Sequence, residues 1–220
     1  MRDSRGEVSP AMPPLADTSG FRLPPTTARG VRTRAALIAA ARAVFERDGY
    51  LDSRLVDIPA TAGCSTGTFY AYFSSKEEVL QAVIEAAELE MLNPGMGRLD
   101  PQEASPKLVI EASNRAYFLV YEKNARLMLI LEQLAASNPK FRALRARRTH
   151  AFAERNARSI RELQQQGLVD PELDAVEASL ALSWMVSRMA FSVYCLGESV
   201  PLDELVFVTS RLWANALQMP

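Results

Sequence analysis

The sequence predicts an all-α fold of about nine helices. Apolar residues recur three and four positions apart through most of the chain, which is the spacing of one face of a helix. No run alternates with the period of two that is typical of a strand. The breaks between periodic segments contain proline, glycine and asparagine, which end helices and form turns. A chain of 220 residues can bury a sizeable core as one large domain or two smaller ones.

Composition narrows the possible functions. The 25 Lys and Arg residues against 26 Asp and Glu give a net charge of −1, so any contact with nucleic acid must come from local basic patches. Cys64 and Cys195 lie far apart without a CxxC motif, which argues against a zinc or redox site. No secretory signal is visible, and Ser and Arg interrupt the longest apolar runs short of a membrane span. We expect a cytoplasmic protein with no metal and no cofactor.

The N-terminal residues 1–28 are rich in proline, serine and threonine, and we expect a disordered basic arm. Arg22, Arg29, Arg32 and Arg34 follow one another without an acidic residue between them, so this end of the arm could lie along a phosphate backbone. A solubilising tail is the alternative. A first helix is predicted from about residue 31 to 48, with Gly49 as its C-cap.

The stretch Gly63–Phe73 is the most informative in the chain. A short helix is predicted before it over 53–62, or from 56 or 57 onward, because Pro59 is tolerated only in a first turn. Gly63 then allows a tight turn, and small side chains leave the following helix open to a close approach. Phe69 and Phe73 share one face and should anchor that helix, whereas Ser65, Thr68 and Tyr72 should project away from it. This pattern is typical of a DNA-reading helix.

The remainder of the chain is predicted to be helical. Ser74 and Ser75 each precede a glutamate by three residues, a capping-box pattern that starts a helix ending at Asn93-Pro94-Gly95. Residues 93–106 should form a loop. Further helices are expected at about 107–122, 124–136, 139–166, 172–196 and 202–218.

Two of these helical segments have unusual surfaces. The segment 139–166 is strongly basic, which predicts either a solvated face or contact with an anionic ligand or DNA backbone. The last two segments are apolar on more than one face, so a second copy of the chain is expected to cover them. The basic residues of 139–166 are Lys140, Arg142, Arg145, Arg147, Arg148, Arg155, Arg158 and Arg161.

These residues carry a family resemblance. Residues 31–80 resemble the N-terminal domain of the tetracycline-repressor (TetR/AcrR) family of bacterial transcriptional regulators, through Thr33-Arg34, Phe45, Gly49-Tyr50 and above all the run from Ser65 to Leu80. The chain departs from the usual pattern at Pro59 and Cys64, neither of which belongs to the DNA-contacting surface. The resemblance implies an N-terminal three-helix helix-turn-helix DNA-binding domain over 29–92 and a larger ligand-binding and dimerisation domain over 93–220.

The resemblance also implies a set of residues that contact double-stranded operator DNA. In such proteins the helix that begins near Ser65 enters the major groove, and Lys76 resembles a basic residue that grips a phosphate. No Arg, Asn or Gln on this helix can make a bidentate base contact, so specificity should depend on van der Waals contacts and DNA shape. The implied contact residues are Arg32, Thr33, Ser65, Thr66, Gly67, Thr68, Tyr70, Ala71, Tyr72 and Lys76.

For the C-terminal part, the resemblance implies a homodimer through the last two helices and a small-molecule effector, which the aromatic and methionine content suggests is apolar. Ligand binding would release a palindromic operator, most simply as a repressor, although activation is an alternative. Arg188 is expected to pair either with Glu132 or with a ligand carboxylate. The candidate pocket residues are Phe118, Tyr121, Met128, Leu131, Trp184, Met185, Arg188 and Met189.

Two other classes of function remain as alternatives. An enzyme is disfavoured because the only histidine, His150, lies in the basic segment without an evident nucleophile, and GxSxG, HExxH and phosphate-loop motifs do not occur. A helical interaction protein without DNA binding would have no reason to carry Thr68, Tyr70, Tyr72 and Lys76 together.

Overall fold

A computed structural model describes residues 25–94 and 105–219. Within these ranges it contains nine α-helices and no strand, which confirms the predicted fold class. The helices are α1 Ala28–Asp48, α2 Asp57–Thr61, α3 Thr66–Tyr72, α4 Lys76–Leu92, α5 Pro106–Lys123, α6 Ala125–Ser137, α7 Pro139–Gln165, α8 Ala175–Leu196 and α9 Leu202–Ala216. Most of the predicted basic arm and of the predicted loop over 93–106 lies outside the described residues.

The boundaries of α1 follow from its caps. The helix begins three residues before the predicted start, because Thr27 caps it: the Thr27 Oγ1 atom accepts a hydrogen bond of 3.1 Å from the N–H of Gly30. Gly49 ends it as predicted, with φ at 78° and its N–H donating to the carbonyl of Phe45.

The proline of α2 fixes where that helix starts. Pro59 is the third residue of the helix, where a backbone N–H has no intrahelical partner, so its missing donor costs nothing there. This confirms the later of the two predicted starts. Pro59 and Ile58 are both buried, so the short helix is held by packing more than by its own hydrogen bonds.

The core of the N-terminal domain closes around α3. Phe69 and Phe73 are both 0% exposed, and their ring centroids lie 5.8 Å apart. Leu37, Phe45 and Leu80, from α1 and α4, are equally buried in the same core. The two phenylalanines therefore anchor α3, as predicted.

The helix α4 joins the N-terminal part to the rest of the molecule, because it packs on α1 and also on α5, α6 and α7. Arg42 of α1 pairs with Glu90 of α4 at 3.2 Å, and Asn124, which precedes α6, donates to the same Glu90 carboxylate at 3.4 Å. Arg126 donates to the carbonyl of Glu46 at the end of α1. Polar contacts thus reinforce the apolar junction between α1, α4 and α6.

The last two helices leave apolar side chains in solvent. Trp184 and Leu196 of α8 are 59% and 56% exposed, and Phe207 and Leu212 of α9 are 60% and 43% exposed. Among the described residues, α8 is the one helix whose length and composition would allow it to cross a membrane, and 28% of its most apolar window is buried. This corrects the expectation that no apolar stretch reaches that length. Helices of soluble proteins that pack in cores and interfaces pass the same test.

Candidate nucleic-acid interface and C-terminal cavity

The turn between α2 and α3 has the geometry that the glycine was expected to allow. Gly63 has a φ of 67°, a conformation that L side chains rarely adopt. Ser65 then caps α3, since its Oγ atom accepts a 3.1 Å hydrogen bond from the N–H of Thr68 and lies 3.0 Å from the Thr68 hydroxyl. The hydroxyl groups of Ser65 and Thr68 therefore lie together at the N-terminus of α3.

The solvent face of α3 carries mainly small side chains. Thr66, Gly67 and Ala71 are exposed, and Tyr70 beside them is 46% exposed. A methyl group at Gly67 would lie 3.7 Å from the Ser65 Oγ atom, an ordinary contact distance, so the fold itself does not require glycine there. A face of this kind lets another surface come close to the helix backbone.

The prediction that Tyr72 projects away from the core is wrong. The side chain is half-buried and packs against the core, and its hydroxyl would lie 3.5 Å from a methyl group at Gly30 of α1. Tyr72 lies three positions after Phe69, on the flank of the anchoring face, and the buried Gly30 leaves room for its ring. Tyr72 thus packs between α3 and the start of α1.

The ammonium group of Lys76 contacts the segment between α1 and α2. Its Nζ atom donates to the carbonyls of Ser53 at 2.5 Å and Leu51 at 3.4 Å, and it lies 4.7 Å from the centroid of the Tyr50 ring. Burial lowers the pKa of Lys76 from its ordinary value, with a small opposing effect from Asp52. In this structure Lys76 braces the segment between α1 and α2.

The start of α1 contributes further polar and basic groups. Arg29 and Arg32 are exposed, and the Thr33 hydroxyl donates to the carbonyl of Arg29 at 3.0 Å. The Arg34 guanidinium lies 5.2 Å from the centroid of the Phe73 ring, next to the end of α3. Local positive charge therefore adjoins α3 although the chain as a whole is slightly negative.

A cavity of about 550 Å³ lies among α5, α7, α8 and α9. Val109, Ile110, Ile160 and Leu163 supply apolar parts of its wall, and Trp184 and Trp213 also line it. Asn114, Asn156 and Ser183 are among its polar lining residues, and Asn156 donates to the Ser183 hydroxyl at 3.0 Å. This volume and mixture of groups are typical of sites that enclose a small organic molecule.

Residues 37–83 match the family described as bacterial regulatory proteins, tetR family. Over 159 residues the chain is 26% identical to the HTH-type transcriptional regulator UidR of Escherichia coli K12, covering 71% of this chain and 78% of that protein. It is 25% identical over 178 residues to the regulator TtgR of Pseudomonas putida, covering 77% and 84% of the two chains. The chain is therefore similar to TetR-family regulators over most of its length, and residues 37–83 match that family. It is a DNA-binding transcriptional regulator, and these relatives are named as regulators rather than as enzymes.

Solved structures agree with this assignment. A TetR-family transcriptional regulator of Pectobacterium atrosepticum superposes with a TM-score of 0.66 at 26% identity. The superposition covers 89% of this chain and 100% of that protein. A putative TetR-family regulator of Mesorhizobium loti superposes with a TM-score of 0.74 over 86% and 98% of the two chains. At 19% identity the second comparison shows the fold alone.

Most of the candidate pocket residues lie outside the C-terminal cavity. Of the eight candidates, Trp184 alone lines it. Phe118, Tyr121, Met128 and Leu131 are at most 2% exposed and pack in the core. The strong apolar character that suggested a pocket is equally typical of core residues, and here the core interpretation is correct. Met185 is also packed against the core, and Met189 borders a separate small depression of about 110 Å³.

The expected burial of Arg188 and its pairing with Glu132 are both wrong. Arg188 is exposed, with its guanidinium 5.1 Å from the centroid of the Phe191 ring, and Glu132 pairs instead with Arg145 at 2.8 Å. An arginine within an apolar helix was expected to be buried, but α8 exposes part of its apolar surface, so Arg188 reaches solvent.

The buried guanidinium belongs to Arg148 of α7, which is 8% exposed and lines the cavity together with Arg155. Both come from the segment that was assigned chiefly to a solvated face. A signal was present in the sequence: Arg148 and Arg155 continue the apolar stripe of Phe141, Leu144 and Phe152 at helical spacing. The basic residues of α7 therefore divide between the cavity and solvent.

Proposed function

We propose that this protein is a TetR-family repressor that binds a palindromic operator as a homodimer and is released when a small molecule occupies the C-terminal cavity. The observation that carries the proposal is the course of α4, which begins beside α3 and ends against the helices that enclose the cavity. Movement at one end of such a helix is transmitted to the other, since packed helices shift as units. A cytoplasmic location follows from the DNA partner.

The division of the chain follows the same boundary. We propose a DNA-binding domain over 29–92, which includes α4 as the linking helix, and a ligand-binding and dimerisation domain over 93–220. The buried side chains of α3 and α1 support the first unit, and the packing of α7 on α8 and of α5 on α9 supports the second.

In the proposed complex, the solvent face of α3 enters the major groove. Its small exposed side chains support close approach to base edges and phosphates. Tyr72 packs against the core, and Lys76 is bound to the carbonyls of Ser53 and Leu51, so both would reach DNA only by leaving or extending these contacts. The proposed contact residues are Arg32, Thr33, Ser65, Thr66, Gly67, Thr68, Tyr70, Ala71, Tyr72 and Lys76.

The proposed dimer uses α8 and α9. The exposed Trp184, Leu196, Phe207 and Leu212 supply apolar surface on the two helices that are otherwise least covered. Burying such a surface against a second copy stabilises the assembly, and a twofold dimer presents two copies of α3 to two half-sites of a palindrome.

Footprinting and mobility-shift titration on the DNA upstream of the chain's own gene test the proposal. We expect a protected region with dyad symmetry and an affinity that falls at least about a hundredfold between 50 and 200 mM salt, because basic groups displace counterions from phosphates. Thr66→Glu, which places a carboxylate on the exposed face of α3, should abolish the complex. Gln133→Glu, an exposed site of α6, is the matched control and should leave binding intact. Absence of a symmetric footprint, or equal effects of the two variants, contradicts the proposal.

A further inference from the structure

The charged groups on the cavity wall are unbalanced. Of its lining residues, Arg148, Arg155 and Glu162 carry charge, and Glu162 is exposed to solvent. Within 25–94 and 105–219, no carboxylate lies within ion-pair distance of Arg148 or Arg155. A buried guanidinium without a carboxylate partner is costly unless another anion or a set of acceptors satisfies it.

The hydrogen bonds of Arg148 satisfy only some of the donor groups of its guanidinium. Its Nη2 atom donates to the Tyr117 hydroxyl at 3.3 Å and contacts the Met91 sulfur at 3.7 Å, but its Nε atom is buried without a partner. Trp213, which also lines the cavity, has a buried Nε1 atom without a partner. Both unsatisfied atoms on cavity-lining residues are donors, so the complementary group on a ligand is an acceptor.

The rest of the wall favours an apolar body on the same ligand. Val109, Ile110, Leu163 and Leu168 line the cavity together with the two tryptophans. Its volume of about 550 Å³ lies within the range of other pockets that enclose small organic molecules.

We infer that the cavity binds an amphipathic organic carboxylate, whose anionic group is held by Arg148 in the positive field of Arg155 and whose apolar body lies against the aliphatic and aromatic wall. A carboxylate accepts the strong, charge-assisted hydrogen bonds that a guanidinium donates. The sequence suggested an apolar effector. The two arginines indicate that this effector also has a negatively charged end.

The protein's own acid near Arg148 does not fill this role. Glu88 of α4 interacts electrostatically with Arg148 without a hydrogen bond to it, and one of its oxygens, Oε1, is buried without a partner. Glu88 is absent from the cavity lining. Because Arg148 lines the cavity and Glu88 does not, Glu88 does not occupy the place of a ligand there.

The two arginines also hold the last turn of α4. Arg148 contacts the Met91 sulfur, and the Arg155 Nη1 atom donates to the carbonyl of Leu92 at 2.7 Å. A carboxylate that draws these guanidinium groups into the cavity weakens their contacts with the end of α4. This consequence for DNA rests on the proposed function, whereas binding of the carboxylate itself does not.

Isothermal titration of the full-length chain with decanoate and with decanol tests the inference, since the two probes share the alkyl body and differ in the anionic group. Decanoate should bind at least about tenfold more tightly than decanol, because the charge-assisted bonds to Arg148 are absent for the alcohol. Equal affinities, tighter binding of decanol, or no saturable binding of decanoate by about 1 mM would overturn it.

Variants on α7 locate the anionic group. Arg148→Gln should reduce the preference for decanoate to less than about threefold, whereas Arg148→Lys should retain most of it. Arg158→Gln is the matched control, because Arg158 is exposed on the same helix and does not line the cavity. If Arg148→Gln does not fold, Arg155→Gln supplies the comparison and should lower the preference several-fold. An unchanged preference in the folded variants overturns the inference.

A mobility shift with decanoate separates this inference from the proposed function. Weaker DNA binding by the wild-type protein in decanoate, but not by Arg148→Gln, supports both. Arginine-dependent decanoate binding that leaves DNA affinity unchanged supports the carboxylate site and contradicts the ligand response. DNA binding with a symmetric footprint but no preference for decanoate overturns the carboxylate site and leaves the DNA-binding part of the proposed function standing.

Discussion

The ammonium of Lys76 lies over the ring of Tyr50, 4.7 Å from its centroid, and donates to the carbonyl of Ser53. A residue at the first position of α4 thereby ties down the segment between α1 and α2. Lys76 consequently has a structural role in addition to the phosphate contact proposed for it.

Replacing Lys76 with alanine should lower both stability and DNA affinity. We expect a loss of about 1 to 3 kcal/mol in the free energy of unfolding, since a cation–π contact and a charged hydrogen bond are removed. Urea denaturation measures this loss, and mobility shifts should show weaker binding to all DNA sequences by a similar factor. Lys140→Ala is the control: Lys140 is 79% exposed and makes a long surface ion pair, so its replacement should change stability little. Equal stability of Lys76→Ala and the wild type would contradict the bracing role.

A methyl group at Gly67 should separate folding from DNA binding. Alanine fits the structure there and favours helix, so Gly67→Ala should keep or raise the free energy of unfolding, by up to about 1 kcal/mol. If the backbone of α3 approaches DNA at this point, the same substitution should weaken binding about tenfold or more. Thermal denaturation and a mobility shift on one preparation give both values. Unchanged DNA affinity would place Gly67 outside the contact surface.

The burial of Glu88 predicts a pH dependence of stability. Burial raises the pKa of this carboxyl to about 7, and the nearby charge of Arg148 only partly opposes the effect; Glu85 raises it further and Arg147 lowers it. Because the folded state holds a proton that the unfolded state has lost above its ordinary pKa of 4.5, stability should fall as the pH rises from about 4.5 to 7. The contribution of this group is at most about 3 kcal/mol.

Glu88→Gln removes this titration and should flatten the stability profile over that interval. At pH 8 the variant should be more stable than the wild type, because the wild type then buries a carboxylate. Urea denaturation at fixed protein concentration between pH 5 and 8 makes the comparison. A wild-type profile that rises with pH and is copied by the variant would show that Glu88 is ionised throughout.

A charge on α9 should break the proposed dimer. Phe207→Asp places a carboxylate on a side chain that is 60% exposed, and we expect the dimer dissociation constant to rise at least about a hundredfold. Leu89→Asp on α4, at a site that is 62% exposed, is the matched control and should leave the dimer intact. Sedimentation equilibrium measures both. A dimer that tolerates Phe207→Asp and fails with Leu89→Asp would place the interface elsewhere.

The helices were predictable because their signals are local. Gly49 and Gly63 end or connect helices through their own backbone conformations, and Ser65 caps α3 through its nearest neighbours. The spacing of four residues between Phe69 and Phe73 is enough to predict that they share one face of the helix. The start of α1 was placed late because its cap, Thr27, precedes the first residues of the apolar stripe.

The cavity was not predictable from the same kind of signal. Phe118 and Met128 have the composition expected of a pocket wall, yet they fill the core, because which apolar face encloses a void depends on how several helices pack together. Arg148 was assigned to a basic surface because it belongs to a run of basic residues with few acids among them. Its burial depends on Tyr117 of α5 and Met91 of α4, which lie far from it in the chain.

Both tryptophans of the chain, Trp184 and Trp213, line the C-terminal cavity, and the sequence contains no other. All of the indole emission of the molecule therefore arises beside this one space, without a background from distant rings. A compound that enters the cavity changes the polarity around both chromophores and displaces water from them. The unlabelled protein is thus its own optical sensor, and collections of compounds can be screened against it by intrinsic fluorescence before the operator is known.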